Sequence, residues 1–185
     1  MGGGRIRFVS VGRLLHWKGF HLGLRAFAEA RLPEAEYWIV GNGPELMRLQ
    51  VLVEKLGISH QVKFLGRLSR AETISNLSEC DVLVHPSLHE SGGMVCLEAM
   101  SLGLPVICLN LGGPAVQVTE ESGFKISAIK PEQSVNDIAA AMSRFSSTRD
   151  LLTQMGEAAR KRAINFSWDE RGAQMARLHR EVWSR

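Results

Sequence analysis

Short runs of apolar residues alternate with longer segments of helical periodicity along the first two thirds of the chain. Most of the short runs are continuously apolar rather than apolar at every second position, which is typical of strands covered on both faces. They predict strands at 5–11, 36–40, 62–65, 81–85 and 105–109, and a weaker one at 123–127. Helices are predicted between them at 20–31, 45–56, 69–77 and 93–102, with a short one at 114–120.

Capping residues fall where these helices should begin and end. Ser69 followed by Glu72 is a capping-box pattern, and Gly57 and Gly103 stand where a left-handed residue would end a helix. Strands that alternate with helices indicate an α/β fold with right-handed crossovers. We therefore predict a Rossmann-like, doubly wound parallel sheet of about six strands with flanking helices.

From position 131 onward the pattern is helical only, which predicts a helical C-terminal segment with helices at 131–146, 149–164 and 168–183. The last of these is amphipathic. Its apolar face is expected to pack either on this domain or on a further domain.

Composition and charge narrow the class of protein. The chain has 185 residues, 45% of them hydrophobic and 22% charged, which is typical of one ordinary globular domain. The net charge of +3 comes from basic residues interleaved with acidic ones, so nucleic acid is not expected as a partner. Cys80, Cys96 and Cys108 lie in or beside apolar runs without CxxC spacing, which predicts small core residues in a reducing compartment.

The chain contains no apolar run approaching the roughly 20 residues that span a bilayer, and no secretory signal is recognisable. We expect a cytoplasmic location, with any membrane contact made through another domain. Residues 1–4, a methionine and three glycines, are expected to be a leader or a truncation point, because they can bury nothing. Residues 5–185 are then a single domain.

The first candidate site is the loop at 12–19, which begins with Gly12 and precedes the first helix. Lys18 lies next to the start of that helix, where the helix dipole disfavours a cation unless an anion is bound nearby. Arg13 can add bidentate hydrogen bonds, so the two cations predict a pyrophosphate site. A solvated surface loop is the alternative that the same residues leave open.

A second glycine-rich turn follows the second predicted strand. Gly41 and Gly43 allow a sharp turn and a close approach of a ligand to the backbone, while Pro44 opens the next helix. No GxGxxG follows the first strand, so a nicotinamide or flavin site is not predicted. A simple strand-to-helix turn would explain the same residues.

The most specific segment, 86–100, follows the fourth strand. Its loop presents Glu90 and the exposed N–H groups of Ser91 and the glycines after it. In the following helix, Glu98 is the only charged residue among apolar ones, and a buried carboxylate needs hydrogen-bond donors such as sugar hydroxyls. The alternative places Glu98 on a narrow solvent-facing stripe.

The common doubly wound order would place the fourth strand beside the first. Arg13, Lys18 and Glu90 would then converge where the strand order reverses. His85, His89 and Glu90 could suggest a metal site, but Pro86 interrupts helical i,i+4 spacing and the chain has no HExxH motif. No metal is therefore predicted.

These and other short motifs occur in an order that resembles a known family. The motifs are Gly12-Arg13 with Lys18-Gly19, Gly41-Asn42-Gly43-Pro44-Glu45, Phe64-Leu65-Gly66, Cys80-Asp81-Val82 with Pro86-Ser87, Glu90 with Glu98, Gly103-Leu104-Pro105-Val106, and Gly112-Gly113-Pro114. Together they resemble the donor-binding, C-terminal domain of retaining glycosyltransferase family 4 (glycosyl transferases group 1), which has the GT-B fold.

The resemblance implies a role for each matched residue. Arg13 and Lys18 would bind the donor diphosphate and stabilise the departing nucleotide, Glu90 would hold donor-sugar hydroxyls, and Glu98 would accept from the ribose. The remaining implied donor-binding positions are Gly12, Gly41, Gly43, Ser91, Gly92, Gly93 and Met94, the last three through backbone N–H groups. The family often has an aromatic residue at position 92, so glycine here leaves the donor-sugar side less enclosed.

The resemblance also implies the reaction: transfer of a sugar from a nucleoside-diphosphate sugar to a hydroxyl acceptor with retention, without a metal or cofactor, in polysaccharide or glycoconjugate biosynthesis. The partners implied are the nucleotide sugar and an N-terminal acceptor domain that this chain lacks, so the isolated chain is expected not to catalyse transfer. A sugar-nucleotide epimerase and a non-catalytic nucleotide-binding module are the alternatives. Uracil, guanine and adenine all remain open as the base.

Overall fold

A computed structural model describes residues 5–183. Residues 1–4, predicted to be a leader or a truncation point, lie outside the described residues. The strands are β1 (Ile6–Val11), β2 (Ala35–Val40), β3 (Val62–Gly66), β4 (Val82–His85), β5 (Val106–Leu109) and β6 (Gly123–Ile126). The helices are α1 (Phe20–Ala30), α2 (Leu46–Lys55), α3 (Arg70–Ser78), α4 (Met94–Ser101), α5 (Gly112–Gln117), α6 (Pro131–Ser147), α7 (Arg149–Ile164) and α8 (Trp168–Trp183), with a 3₁₀ turn (His16–Lys18) before α1.

The strands form one six-stranded sheet in the order β3-β2-β1-β4-β5-β6, and every neighbouring pair is parallel. The predicted α/β class and doubly wound order are confirmed. The strand order reverses between β1 and β4, so the loops that follow these two strands meet at the carboxyl edge of the sheet.

Two apolar layers, one on each face of the sheet, explain why the strands are apolar throughout. In β1, Phe8 belongs to the layer completed by α1, α2 and α6, and the next residue, Val9, belongs to the layer completed by α3, α4 and part of α7. The strands β2, β4 and β5 are buried along their whole length. Cys80, Cys96 and Cys108 are buried free thiols, as predicted.

The predicted helix ends are also confirmed. Ser69 and Glu72 form a reciprocal capping box at the start of α3. Gly57 and Gly103 have φ angles of 70° and 85°, in the left-handed region that ends a helix. One helix differs from the prediction: α5 begins at Gly112 rather than at position 114 and ends before position 120.

The last helix, α8, packs against little of the described chain. None of its residues is buried, and its large apolar side chains, Trp168, Met175, Leu178, Val182 and Trp183, are all exposed. Within residues 5–183, no helix combines the length and the apolarity that crossing a membrane requires.

Candidate functional site

The loops after β1 and β4 are joined at the carboxyl edge of the sheet. The Leu88 N–H donates to the Trp17 carbonyl oxygen at 2.8 Å. A Cβ on Gly19 would lie 1.9 Å from the Pro86 carbonyl oxygen, so only glycine permits this approach. Gly19 also has a φ of 68°, which suits it to the turn before α1. The local geometry therefore holds the 12–19 loop against the 86–93 loop.

This approach brings together three side chains that are far apart in the sequence. The Lys18 ammonium contacts the Glu90 carboxylate through Oε2, and His85 Nε2 lies 3.5 Å from the same oxygen. The Lys18 and Glu90 side chains are only 21% and 17% exposed. The predicted meeting of Lys18 with Glu90 is thus present as a partly buried ion pair, with His85 beneath it.

The surroundings favour one protonation state for Glu90 and one for His85. Burial works against ionisation of Glu90, but the hydrogen bond and charge of Lys18, with a backbone hydrogen bond from Gly93, lower its pKa. Burial lowers the pKa of His85 to about 4, although the Glu90 carboxylate acts in the opposite direction. Near neutral pH Glu90 is therefore a carboxylate and His85 a neutral imidazole.

The loop that carries Glu90 is supported by α5. The Gly113 N–H donates to the Glu90 carbonyl oxygen at 3.0 Å, and Gln117 Nε2 donates to the Gly92 carbonyl oxygen. A Cβ on Gly112 would lie 2.0 Å from the Glu90 carbonyl oxygen. The loop can therefore rest on α5 only because the helix starts with two glycines, which explains why α5 begins two residues before Pro114.

Arg13 lies beside the ion pair in sequence but lines a different space. It is exposed and borders a cleft of about 660 Å³ that is also lined by Gly12, Gly41, Gly43 and residues 67–68. A Cβ on Gly41 would lie 1.8 Å from the Gly12 carbonyl oxygen, so the two glycine-rich turns are in direct contact. Of the three residues predicted to converge, Lys18 and Glu90 are in contact and Arg13 faces the adjoining cleft.

Glu98 is partly exposed, which is closer to the alternative of a solvent-facing stripe than to a fully buried carboxylate. Helix α4 buries Cys96, Ala99 and Met100, but Met94 is 59% exposed and the Glu98 side chain is 25% exposed. Glu98 Oε1 lies 3.5 Å from Nε of the exposed Arg70 on α3. The helix is therefore not enclosed on nearly every side, because one flank opens toward α3, and Glu98 already has a cationic partner.

The other predicted positions lie around the mouth of the site. Ser91 and Gly92 are exposed in the loop, and nothing lies within 4 Å of a Cβ placed on Gly92. Gly93 is buried, with a φ of 56°, and is the residue before Met94 at the start of α4. The open space at Gly92 agrees with the expectation that a glycine leaves this side of the site less enclosed.

Two buried polar residues contact the Glu90 loop and were not among the predicted site residues. The sequence suggests His85 only as a possible metal ligand, and it predicts no role for Gln117. Over residues 5–183, just three buried side-chain nitrogen or oxygen atoms lack a hydrogen-bond partner: His85 Nε2, Gln117 Oε1 and Arg7 Nε. The sequence signal that could have identified His85 is a histidine at the end of an otherwise apolar strand.

Metal-binding side chains do not cluster in the described part of the chain: no group of three or more histidine, cysteine, aspartate or glutamate residues is arranged to hold a metal ion. The Glu90 carboxylate, the acidic group nearest the buried histidine, is in contact with an ammonium group instead.

The sequence matches the family described as glycosyl transferases group 1 over residues 2–162. It is 35% identical over 182 residues to a D-inositol 3-phosphate glycosyltransferase of Corynebacterium jeikeium, an alignment that covers 93% of this chain and 42% of that protein. The chain therefore spans less than half the length of this curated relative.

Solved structures of similar fold include two with bound nucleotide. The pneumococcal O-GlcNAc transferase GtfA in complex with UDP and GlcNAc has a TM-score of 0.83 at 21% identity, over 97% of this chain and 37% of that one. The Anabaena protein HepE in complex with UDP has a TM-score of 0.73 at 25% identity, over 94% of this chain and 49% of that one. The all-parallel sheet flanked by helices matches the Rossmann-like domains of GT-B proteins.

Proposed function

This chain belongs to the glycosyl transferases group 1 family, and from that premise we propose that residues 5–185 are the donor-binding, C-terminal domain of a retaining family 4 enzyme. The observation that carries the proposal is the meeting of Lys18 and Glu90 at the strand-order reversal between β1 and β4. Open α/β sheets bind nucleotides at this position. A cation that can bind phosphate and a carboxylate that can bind hydroxyl groups therefore lie next to each other at this position.

The donor diphosphate binds between the 12–19 loop and the mouth of the cleft. Arg13 supplies a planar pair of donors from the exposed side, and Lys18 supplies a point charge next to the start of α1. The nucleoside extends over Gly12, Gly41 and Gly43, where close backbone approach leaves little room for side chains. HepE, a similar structure at 25% sequence identity, was solved in complex with UDP, which supports a nucleoside diphosphate as part of the ligand.

The two glutamates contact different parts of the donor. Glu90 accepts hydrogen bonds from hydroxyls of the donor sugar, helped by backbone N–H groups of Ser91, Gly92, Gly93 and Met94. Glu98 accepts from the ribose hydroxyls, in exchange for its present contact with Arg70, which is weak because Arg70 is 85% exposed.

The reaction transfers the sugar with retention at its anomeric carbon. The bond from that carbon to the diphosphate oxygen breaks, the acceptor hydroxyl oxygen bonds to the same face, and its proton passes to the leaving phosphate oxygen. Arg13 and Lys18 stabilise the negative charge that develops on the diphosphate, which is the role that a metal would otherwise fill. No metal, cofactor or covalent enzyme nucleophile takes part.

The acceptor binds to a second, N-terminal domain. Two observations support this: the chain spans 42% of its Corynebacterium relative, and the apolar face of α8 is left exposed. We propose that the described domain alone binds donor without transferring sugar, because orientation of both substrates supplies much of the rate. The enzyme acts in the cytoplasm on polysaccharide or glycoconjugate precursors, and any contact with a membrane is made by the second domain.

A thermal-shift panel with UDP, GDP and ADP tests the proposal on this chain. One of the three nucleotides is expected to raise the melting temperature, since a ligand that binds only the folded state stabilises it by mass action. Magnesium and EDTA should leave that shift unchanged. If none of the three nucleotides changes the melting temperature and calorimetry detects no binding, the proposed function is wrong.

The glycosyltransferase names of its relatives favour this proposal over an epimerase.

A further inference from the structure

His85 has the only side chain of β4 that can exchange a proton, and it is placed under the candidate donor site. The imidazole is 5% exposed, and its Nε2 lies 3.5 Å from Glu90 Oε2. Lys18, whose side chain is 21% exposed, contacts the same oxygen. Oε2 of Glu90 therefore lies between one cation that a ligand can reach and one buried ring that a ligand cannot reach.

The Nε2 atom is buried and has no hydrogen-bond partner. Leaving a buried polar atom unpaired costs free energy, so an orphaned atom of this kind needs an explanation. Burial also keeps the ring neutral, with its pKa lowered to about 4, so it carries one proton only. If that proton were on Nδ1, the Nε2 lone pair would face a carboxylate oxygen. The arrangement favours the tautomer with the proton on Nε2, directed at Glu90.

Donor binding is expected to take Lys18, the main partner of Glu90, away from the carboxylate. A diphosphate at Lys18 draws the ammonium away from the carboxylate, since it offers more negative charge than one carboxylate does. Glu90 would then be a partly buried anion without its main partner. A shift of about half an ångström would bring the carboxylate to normal hydrogen-bond distance from His85 Nε2.

We propose that His85 is a positioning residue: its neutral Nε2–H replaces Lys18 as the partner of Glu90 when a diphosphate binds, and so holds the carboxylate toward the donor sugar. This inference rests on the proposed donor site. It makes the Lys18–Glu90 ion pair the ligand-free arrangement and the His85–Glu90 hydrogen bond the donor-bound arrangement.

The test compares two variants by calorimetry with UDP and UDP-glucose, or with the guanine or adenine pair if the nucleotide panel selects it. In His85→Gln a side-chain nitrogen can still donate a hydrogen bond at a similar distance from the backbone. In His85→Leu an apolar side chain fills the space and the donor is lost. His85→Leu should weaken binding of the diphosphate about threefold, because Glu90 is left without a partner once Lys18 binds the ligand. It should weaken binding of the nucleotide sugar about tenfold, because the carboxylate is then also not held toward the sugar. His85→Gln should restore most of the loss, and His60→Leu, at an exposed histidine beyond the opposite end of the sheet, should change neither.

Equal losses of both ligands in His85→Leu, or no loss of either, would overturn the inference while leaving the donor site standing. A chain that binds none of the nucleotides overturns the proposed function and this inference with it.

Nitrogen-15 NMR of the unaltered chain adds a measurement that does not depend on the folding of a variant. The His85 proton should be on Nε2, and its signal should move when UDP is added; a proton on Nδ1 would contradict the proposal.

Discussion

At the scale of single residues, the site is defined by charges that are paired before any ligand is present. Lys18 and Glu90 sit in a partly buried position, where breaking an ion pair without replacing it is costly. A ligand that carries both a diphosphate and hydroxyl groups can replace both halves of the ion pair: its diphosphate binds Lys18, and its hydroxyl groups donate to Glu90. The same pairing means that a free diphosphate, which offers no hydrogen-bond donor to Glu90, leaves the carboxylate to be compensated by the chain itself, through His85.

Replacing the two glutamates one at a time should separate their roles. Glu98→Gln weakens a charged acceptor at the ribose and should lower affinity for both diphosphate and nucleotide sugar by about 1–2 kcal/mol. Glu90→Gln should leave diphosphate affinity unchanged or raise it, because Lys18 is released, and should lower affinity for the nucleotide sugar. Calorimetry on variants whose ligand-free melting matches the parent measures both effects. Loss of diphosphate binding in Glu90→Gln would contradict the assignment of this residue to the sugar.

At the scale of elements, the site depends on turns that touch each other through glycines. The turn after β1 and the turn after β2 are joined at Gly12 and Gly41, and the loop after β4 rests on the start of α5. These contacts place the backbone of four elements at one edge of the sheet. The backbone contacts between these turns therefore set the positions from which Lys18 and Glu90 reach each other.

Gly41→Ala and Gly66→Ala should separate the two reasons for glycine in these turns. Both residues have φ angles in the left-handed region, at 143° and 70°. A Cβ at Gly41 would also collide with the Gly12 carbonyl oxygen at 1.8 Å, whereas nothing lies within 4 Å of one at Gly66. Gly41→Ala should lower the free energy of unfolding by about 2–4 kcal/mol and Gly66→Ala by about 1–2 kcal/mol. Denaturant unfolding measures both, and equal losses would contradict the close contact between the turns.

Local signals were enough to predict the elements. Apolar runs predicted all six strands to within about one residue, because β2, β4 and β5 are buried along their whole length and the other strands are partly buried. The Ser69 capping box marked the start of α3. The start of α5 was missed because its two glycines are needed by the Glu90 loop, a contact that no local pattern contains. The partners of Lys18 and Glu98, and the orphaned nitrogen of His85, depend on side chains that lie close only after folding.

At the scale of the whole molecule, one exposed surface stands apart from the compact α/β core. The face of α8 that carries Trp168, Met175, Val182 and Trp183 is uncovered, although it has the amphipathic pattern of a helix that packs. The core itself is complete without it, since both apolar layers of the sheet are closed by α1–α4, α6 and α7. Folding and donor binding should therefore be separable from whatever covers α8.

Removing residues 168–185 tests this separation. Because α8 buries none of its side chains, the shortened chain should melt within a few degrees of the parent and bind nucleotide equally well. Met142→Ala, at a fully buried position of α6, is the control and should lower the free energy of unfolding by about 2–5 kcal/mol. A collapse of the fold on removing α8 would show that this helix supports the core.

The central claim is that the carboxyl edge of the sheet binds a nucleoside diphosphate through Arg13 and Lys18. The most direct measurement is calorimetric titration of Arg13→Ala, Lys18→Ala and the parent with the nucleotide that the thermal-shift panel selects. Each variant should lose about 1.5–3 kcal/mol of binding free energy, while Lys161→Ala, at an exposed position of α7, should lose none. Unchanged diphosphate affinity in both Arg13→Ala and Lys18→Ala would contradict the account.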